Sequence, residues 1–266
     1  MAERARQFGD AERGVSEVLG YALIFGLILV SITAVSVGGI DSLRTVRDAE
    51  QLGNAERAFE VLADNTADIY AQDAPSRATE FSIGEATLFT GTNTTVTITD
   101  PVDGTPTREF VITPLVFRSG NDNEIVYEGG AIFRTRRDAG RIVREPPQTW
   151  SGEEPIVVIV GTYADRTESV AGTDVLARMK ARSRYVAIDR NDDFADARIE
   201  VESERAGLWQ RFLADQAVVE SCSLDSTTSP PTVTCDVDTD SDATGTPPEA
   251  RDLLVVVHEI EMTLEQ

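Results

Sequence analysis

The arrangement of this chain follows from residues 18–40, VLGYALIFGLILVSITAVSVGGI, which contain no charged side chain. At a rise of about 1.5 Å per residue, a helix of this length matches the roughly 30 Å hydrocarbon core of a bilayer. One alternative is the buried helix of a soluble core. Another is a secretory signal, but such a signal has a shorter apolar region that ends at a small-residue cleavage site. The sequence therefore predicts a transmembrane helix.

Basic residues on the two flanks predict the orientation of this helix. Arg4, Arg6 and Arg13 precede the apolar run, whereas Arg44 and Arg47 follow it. Cytoplasmic flanks carry an excess of Lys and Arg. We therefore expect a single-pass protein of the cell membrane, with its N-terminus in the cytoplasm and the rest of the chain outside.

The residues at the start of the apolar run form a recognisable pattern, Arg13-Gly14-Val15-Ser16-Glu17-Val18-Leu19-Gly20. This stretch resembles the class III signal of archaeal type IV pilins and pilin-like proteins. In that family a prepilin peptidase cuts ahead of the hydrophobic segment and leaves the helix on the mature protein, where it enters the core of a filament. The resemblance implies a cut between Gly14 and Val15, and it gives Glu17 a role in setting the helix register.

A helical pattern continues beyond the apolar run. Apolar and small residues recur at alternating spacings of three and four, as on one face of a helix: Leu52, Ala55, Phe59, Leu62, Thr66 and Ile69. Pro75 disfavours helical backbone at the residue before it, so the helix is expected to end there. We therefore predict a leader at residues 1–14, a transmembrane and then amphipathic helix at 15–73, and an extracellular domain at 74–266.

Beyond Pro75 the hydrophobic period changes to two, which indicates β-strands. Phe81, Ile83 and Glu85 alternate with polar neighbours, and residues 94–99 are rich in β-branched side chains. Further strand candidates, separated by turn residues, are Glu109–Phe117, Glu124–Tyr127, Ala131–Arg134, Ile156–Thr162, Val175–Ile188, Ala197–Glu202 and Leu253–Leu264. These short strands predict an α+β, mainly β fold with an antiparallel β-sandwich-like domain. One short helix, Ala206–Ala214, is expected to cover a sheet through Trp209 and Phe212.

The charge balance is strongly acidic, with 46 acidic residues against 24 basic ones and a formal net charge of −22. Such a surface repels a phosphate backbone, so nucleic acid is not an expected partner. Lys180 is the only lysine. A dense carboxylate coat with arginine in place of lysine resembles the proteins of extreme halophiles, although an ordinary acidic protein is the alternative.

No catalytic pattern is present in the sequence. The motifs G-x-S-x-G, G-x-G-x-x-G, H-E-x-x-H and the phosphate-binding Walker loop do not occur, so we expect neither enzymatic activity nor a cofactor. His258 is the only histidine. It belongs to a period-two set that predicts one apolar strand face, in which the histidine is packed and hydrogen-bonded: Leu254, Val256, His258, Ile260, Met262 and Leu264.

The two cysteines, Cys222 and Cys235, flank a turn that contains Pro230 and Pro231. Two cysteines this close in a strand-turn-strand context outside the cytoplasm predict one disulfide, with two buried free thiols as the alternative. A zinc site would need further cysteine or histidine ligands.

Two further patterns point to surface chemistry outside the cell. Asp238, Asp240, Asp242 and Glu249 stand at positions 1, 3, 5 and 12 of a possible calcium loop, but Ala243 occupies the position where the sharp turn needs glycine. An acidic, solvated loop is the alternative. Asn93-Thr94-Thr95 is an acceptor sequence for N-glycosylation.

Taken with the resemblance, these patterns favour a pilin-like structural protein of the cell surface, a subunit or minor subunit of a type IV pilus-like filament. Its implied partners are the membrane, other copies or other pilin-like subunits through the N-terminal helix, and a prepilin peptidase. The alternative is a membrane-anchored extracellular binding module that does not assemble.

Overall fold

The computed structural model describes residues 4–84, 86–100, 107–120, 123–137, 139–148, 156–165, 168–171, 174–188, 197–237 and 253–266. The chain divides into two compact units, residues 1–50 and residues 51–266. The second unit is mainly β, and an apolar helical segment lies near the N-terminus. Both features agree with the fold class expected from the sequence.

The first helix, α1, spans Arg4–Gln72. Its end lies close to the proline predicted to stop it. Asp73 adopts a positive φ of 55°, and the Asp68 carbonyl accepts a hydrogen bond from the Ala74 N–H at 3.1 Å. A left-handed residue at this position is a common way to end a helix.

The last part of α1, from Gln51 onward, belongs to the β-rich unit. The predicted stripe is buried throughout: Leu52, Ala55, Phe59, Leu62, Thr66 and Ile69 are each at most 4% exposed. The sequence assigned this segment to the helical region and began the extracellular domain at residue 74. In the structure, residues 51–72 instead form part of the core of the β-rich unit.

The described residues of the second unit form fifteen strands and a second helix, α2 (Ala206–Ala214). The strands are β1 (Ser76–Ser82), β2 (Thr87–Thr90), β3 (Thr94–Thr99), β4 (Thr107–Ile112), β5 (Leu115–Ser119), β6 (Asn123–Glu128), β7 (Ala131–Arg136), β8 (Ala139–Arg144), β9 (Ile156–Tyr163), β10 (Ser169–Val170), β11 (Asp174–Ile188), β12 (Ala197–Glu202), β13 (Val219–Asp225), β14 (Thr232–Val237) and β15 (Leu254–Glu265).

These strands form three sheets. The first sheet has the order β1-β11-β15-β9, the second has β10-β2-β5-β6-β7-β8, and the third has β13-β14-β12-β3-β4. The predicted all-antiparallel arrangement is wrong at one pair, because β9 and β15 run parallel, with Val257 opposite Ile159. Parallel neighbours need a long crossover, and these two strands are far apart in the chain.

One predicted strand is two strands. Residues 109–117 were expected to be continuous, but β4 ends at Ile112 and β5 begins at Leu115. Pro114 lies between them and has no N–H to give to a ladder. The two strands belong to different sheets, so this break carries the chain from the third sheet to the second.

Two buried clusters fill the β-rich unit. The helix cluster joins the α1 stripe to apolar residues of the first and second sheets, including Phe81, Phe117, Tyr127 and Met262. The Trp209 cluster joins α2 to apolar residues of all three sheets, including Val96, Phe133, Ile199 and Val255. The predicted bounds of α2 and its role as a cover are therefore confirmed.

Strand β15 changes its buried face part-way along. Val255 and Val257 belong to the Trp209 cluster, whereas Ile260 and Met262 belong to the helix cluster on the opposite face. The prediction of a single apolar face is therefore wrong for the first half of the strand, where Leu254 and Val256 are only partly buried. The first half of the strand therefore contributes buried side chains to the Trp209 cluster, and the second half contributes them to the helix cluster.

Candidate functional site

The apolar segment of α1, Val18–Ser36, has a mean hydropathy of 2.5, and none of it is buried within the chain. Large side chains point outward all round the helix, with Tyr21 78% exposed, Leu23 74% and Val35 75%. A helix that is hydrophobic on every side needs an apolar environment. By length and composition this segment suits a membrane anchor or a signal sequence.

Two hydroxyl groups inside this segment, those of Ser31 and Thr33, donate hydrogen bonds to the helix backbone. Ser31 Oγ donates to the Leu27 carbonyl at 2.7 Å, and Thr33 Oγ1 donates to the Leu29 carbonyl at 2.8 Å. An unsatisfied polar group costs several kcal/mol in hydrocarbon. The hydroxyls of Ser31 and Thr33 therefore avoid the desolvation cost that an unpaired hydroxyl would have in hydrocarbon.

The helix surface also has room for a close neighbour at its glycines. A Cβ atom built on Gly20 or Gly26 meets no heavy atom within 4 Å. Small residues allow helix backbones to approach one another in an apolar medium. The segment is thus suited to packing against lipid or against another apolar helix.

The residues of the predicted cut lie in helical backbone. Gly14, Val15 and Glu17 are all within α1, directly before the apolar segment. Their side chains lie outside what the structure describes. The cut itself and the role of Glu17 therefore stay predictions.

The predicted disulfide is present. Cys222 in β13 and Cys235 in β14 are directly opposite each other in the ladder, with their Cα atoms 4.2 Å apart and an S–S bond of 2.02 Å. The bond closes a 13-residue separation, for which loop-closure entropy gives a stabilisation of about 3 kcal/mol. It holds together the two strands at one edge of the third sheet.

The glycosylation acceptor Asn93 is exposed in the connection between β2 and β3. Its Oδ1 accepts a hydrogen bond from Thr113 Oγ1 at 3.1 Å. Thr94, the next residue of the acceptor sequence, is buried, and its hydroxyl donates to Glu128 at 2.8 Å. Thr94 therefore has a structural role whether or not Asn93 is modified.

The proposed calcium ligands Asp238, Asp240, Asp242 and Glu249 all lie outside the described residues. Within the described part of the chain, no three His, Cys, Asp or Glu side chains are placed to hold a metal ion.

Comparison with known protein families assigns this chain to a family. The sequence profile of DUF7289, a family of unknown function, matches residues 13–263. The chain belongs to the DUF7289 family. No curated protein and no solved structure matches it. The matched region of this DUF7289 protein includes both the apolar segment and the β-rich unit.

Sequence reasoning missed Glu128, at the end of β6, which is fully buried and is the least exposed acidic or basic side chain among the described residues of this DUF7289 chain. Its Oε1 accepts hydrogen bonds from Thr94 Oγ1, Ser203 Oγ at 2.7 Å and Trp209 Nε1 at 2.8 Å. Its Oε2 pairs with Arg205 Nε at 2.5 Å. Burial alone lowers the pKa of Arg205, but the carboxylates of Glu128 and Glu204 outweigh this effect and raise it. Glu128 thereby ties the second sheet to the third and to α2.

His258 is buried beside Tyr70, with ring centroids 5.7 Å apart. The predicted packing is confirmed. Burial and, secondly, the nearby Arg184 charge lower the pKa of His258, while Asp73 acts in the opposite direction. This environment favours neutral imidazole in the folded state.

Proposed function

We propose that this DUF7289 protein is a pilin-like, membrane-anchored structural protein of the cell surface and a subunit or minor subunit of a type IV pilus-like filament. The observation that carries the proposal is the Val18–Ser36 helix, which is apolar on every side and has no cover within its own chain. It directly follows the Arg13-to-Gly20 stretch that resembles a class III signal.

The mechanism in this proposal is helix packing. Processing between Gly14 and Val15 releases the leader and leaves the apolar segment on the mature protein. The segment first lies in the bilayer, and helices from many copies then bury one another in the filament, with Gly20 and Gly26 allowing close approach. Glu17 sets the register between neighbouring helices.

The β-rich unit has a separate role in the proposal. Its three sheets form a sandwich-like domain outside the cell, and this domain determines which molecules the filament contacts. An extracellular location is supported by the Cys222–Cys235 disulfide, because such bonds persist in oxidising compartments. The acid-rich composition supports a surface adapted to high salt, as in a halophilic archaeon.

The mature N-terminus tests the proposal. Mass spectrometry of the membrane fraction should show that the native chain begins at Val15. In the variant Gly14→Val, a β-branched side chain replaces glycine at the cut, so residues 1–14 should remain. Gly9→Val adds the same side chain elsewhere in the leader and should be processed like the native chain.

An intact residue 1–14 segment on the native protein would remove the pilin proposal and favour a permanent anchor for a binding module. Filament assembly is a separate question, which shearing of whole cells and sedimentation of the released material answer. A processed protein that stays entirely in the membrane pellet would restrict the proposal to a membrane-resident subunit.

A further inference from the structure

Strand β11 has an outer edge that is only half covered. It spans Asp174–Ile188, and β15 pairs with it on one side as far as Ile188. On the other side β1 pairs only with Asp174–Lys180. Among the strands that the structure describes, none pairs with this outer edge beyond Lys180.

The open edge has defined ends. At one end the Pro75 carbonyl accepts a hydrogen bond from the Ala181 N–H at 3.0 Å, and at the other Arg108 Nε donates to the Ala187 carbonyl at 3.0 Å. Residues 182–186 lie between these contacts. At about 3.4 Å per residue they offer roughly 17 Å of edge, which is the length of a typical short strand.

Side chains along this edge are exposed on both faces of the strand. Every residue from Lys180 to Val186 is exposed, including Tyr185 at 41% and Val186 at 54%. A strand with a free edge and exposed apolar side chains is a template for another strand.

The charge of β11 is opposite to that of the whole chain. The strand carries four basic residues and one acidic residue, whereas the chain has 24 basic and 46 acidic ones. In the covered half, Arg178 pairs with Glu265 at 3.0 Å, and Lys180 approaches Glu261 at 3.9 Å. The excess positive charge therefore lies in the open half.

A β-bulge creates this excess. The register shifts between Ala181 and Ser183, so Arg182 is the extra residue and faces no cross-strand partner. Arg182 makes no ion pair with any residue that the structure describes. Among the described residues, Arg184 forms an ion pair with the exposed Asp73, at 3.6 Å. Arg182 is thus available to an incoming group, and Arg184 is held only by an ion pair that is exposed to solvent.

A surface cavity lies beside the open edge. It has a volume of about 250 Å³ and is lined by Ile69, Asp73, Arg182, Arg184, His258 and Glu259, among others. Its position gives side chains of an added strand a place to pack next to the arginines.

We propose that residues 182–186 bind an extended, acidic segment of a partner protein as an additional strand of the first sheet. Main-chain hydrogen bonds supply affinity in such an addition, and side chains supply specificity. A second copy of this edge is a poor occupant, because antiparallel pairing would set Arg182 and Arg184 against the same residues of the other copy. Like charges placed opposite each other destabilise a strand pair.

Amide hydrogen exchange tests this binding with the full-length protein in detergent micelles. The probe is a synthetic peptide of alternating Glu and Val, seven residues long. It should slow exchange of the outward-facing amides within residues 182–186 at least about tenfold at saturation, because exchange from a paired edge requires the peptide to leave. Two control peptides, one with prolines in place of the valines and one with lysines in place of the glutamates, should leave exchange unchanged.

A pair of variants separates the open half of the strand from the covered half. Replacing both Arg182 and Arg184 with Ser should weaken peptide binding about fivefold, from the loss of two opposite-charge contacts. Arg178→Ser, in the covered half, should leave the affinity unchanged. All these side chains are exposed, and circular dichroism checks that the variants remain folded.

Three results would overturn the proposal. Equal protection by the proline peptide would show attraction of charge without strand pairing. An unchanged exchange rate with the acidic peptide would show that the edge does not accept a strand. Strong protection of residues 182–186 before any peptide is added would show that the edge is already occupied.

Discussion

At the scale of single residues, the core of the β-rich unit depends on one carboxylate with many partners. Glu128 is fully buried and connects Thr94 of β3, Ser203 and Arg205 of the β12–α2 connection, and Trp209 of α2. The neighbouring turn is equally constrained, because Gly130 has a φ of +87° and a Cβ there would lie 2.5 Å from Pro147 Cδ. Hydrogen bonds to charged groups are the stronger ones in proteins, and removing one partner of a buried pair leaves the other uncompensated.

Removal of the Glu128 charge should therefore be costly. We expect Glu128→Gln to lower the free energy of unfolding by about 3–5 kcal/mol. The buried Arg205 then keeps only its ion pair with Glu204, whose side chain is 53% exposed. The measurement is denaturant unfolding followed by circular dichroism. Glu124→Gln is the matched control, because it removes the same charge from an ion pair with the 55% exposed Arg118 and should cost at most about 1 kcal/mol. Equal costs for both variants would contradict the role assigned to Glu128.

The single histidine predicts a pH dependence with a definite sign. The pKa of His258 is lowered in the folded state, first by burial and then by Arg184, so near pH 6 the unfolded chain binds more protons than the folded one. Stability should therefore rise with pH through the unfolded pKa of about 6.5 and fall progressively as the pH drops below it. Denaturant unfolding between pH 5 and 8 measures this slope.

The variant His258→Gln should flatten the slope, because it removes the only side chain whose ordinary pKa lies in this range. The difference between native and variant curves isolates the histidine from the carboxylates. A difference that is constant between pH 5 and 8 would show that His258 titrates equally in both states.

At the scale of elements, helix α1 has two segments in different environments. Residues 18–36 have no cover in the chain, whereas the stripe from Leu52 to Ile69 is buried in the helix cluster. Two arginines of the second sheet also form ion pairs with this helix. Arg134 pairs with Glu56 at 3.0 Å, and Arg141 pairs with Glu56 at 2.6 Å. The segment therefore has to be counted with the β-rich unit when the protein is divided.

The buried stripe should tolerate truncation poorly. Phe59 is fully buried and packs edge-on against Phe81 with ring centroids 5.1 Å apart. We expect Phe59→Ala to destabilise the β-rich unit by about 3–5 kcal/mol, from lost apolar burial and the cavity left behind. Val61→Ala lies on the same helix at a 51% exposed position and should change stability by less than about 0.5 kcal/mol. Thermal or denaturant unfolding compares the two, and similar losses would mean that the stripe does not hold the unit together.

At the scale of the whole molecule, the formal net charge of −22 disfavours the compact folded state. Many described carboxylates are exposed, and acidic residues outnumber basic ones by 46 to 24, so mutual repulsion of the carboxylates opposes folding. Added salt shortens the reach of this repulsion from roughly 30 Å at 0.01 M to about 3 Å at 1 M. The dense acidic surface therefore predicts a protein that depends on salt.

The salt dependence of stability should be measured on a fragment of residues 51–266. A fragment that starts at residue 74 would lack the buried α1 stripe. The melting temperature of the 51–266 fragment should rise between low and molar sodium or potassium chloride, because screening weakens repulsion in the folded state. Divalent ions are left out, so that binding by Asp238, Asp240 and Asp242 does not produce the same trend. A melting temperature that stays flat across this range would overturn the halophilic interpretation.

The sequence by itself determined the features that depend on neighbours along the chain. These are the uncharged run of residues 18–40, the buried stripe from Leu52 to Ile69, the bounds of α2 and the pairing of two nearby cysteines. Each of these features depends on a local hydrophobic period or on a short spacing along the chain. Helical and strand periodicities arise from backbone geometry, which is the same in every protein.

Only the tertiary structure decided which distant segments meet. The parallel pairing of β9 with β15, the exchange of buried faces within β15 and the open edge of β11 depend on residues that are far apart in the chain. Glu128 resembles every other acidic residue in a chain that has 46 of them, until Arg205 and Trp209 are brought to it. The physical reason is that burial and charge pairing are properties of the folded surroundings, whereas a sequence pattern reports only what the backbone repeats locally.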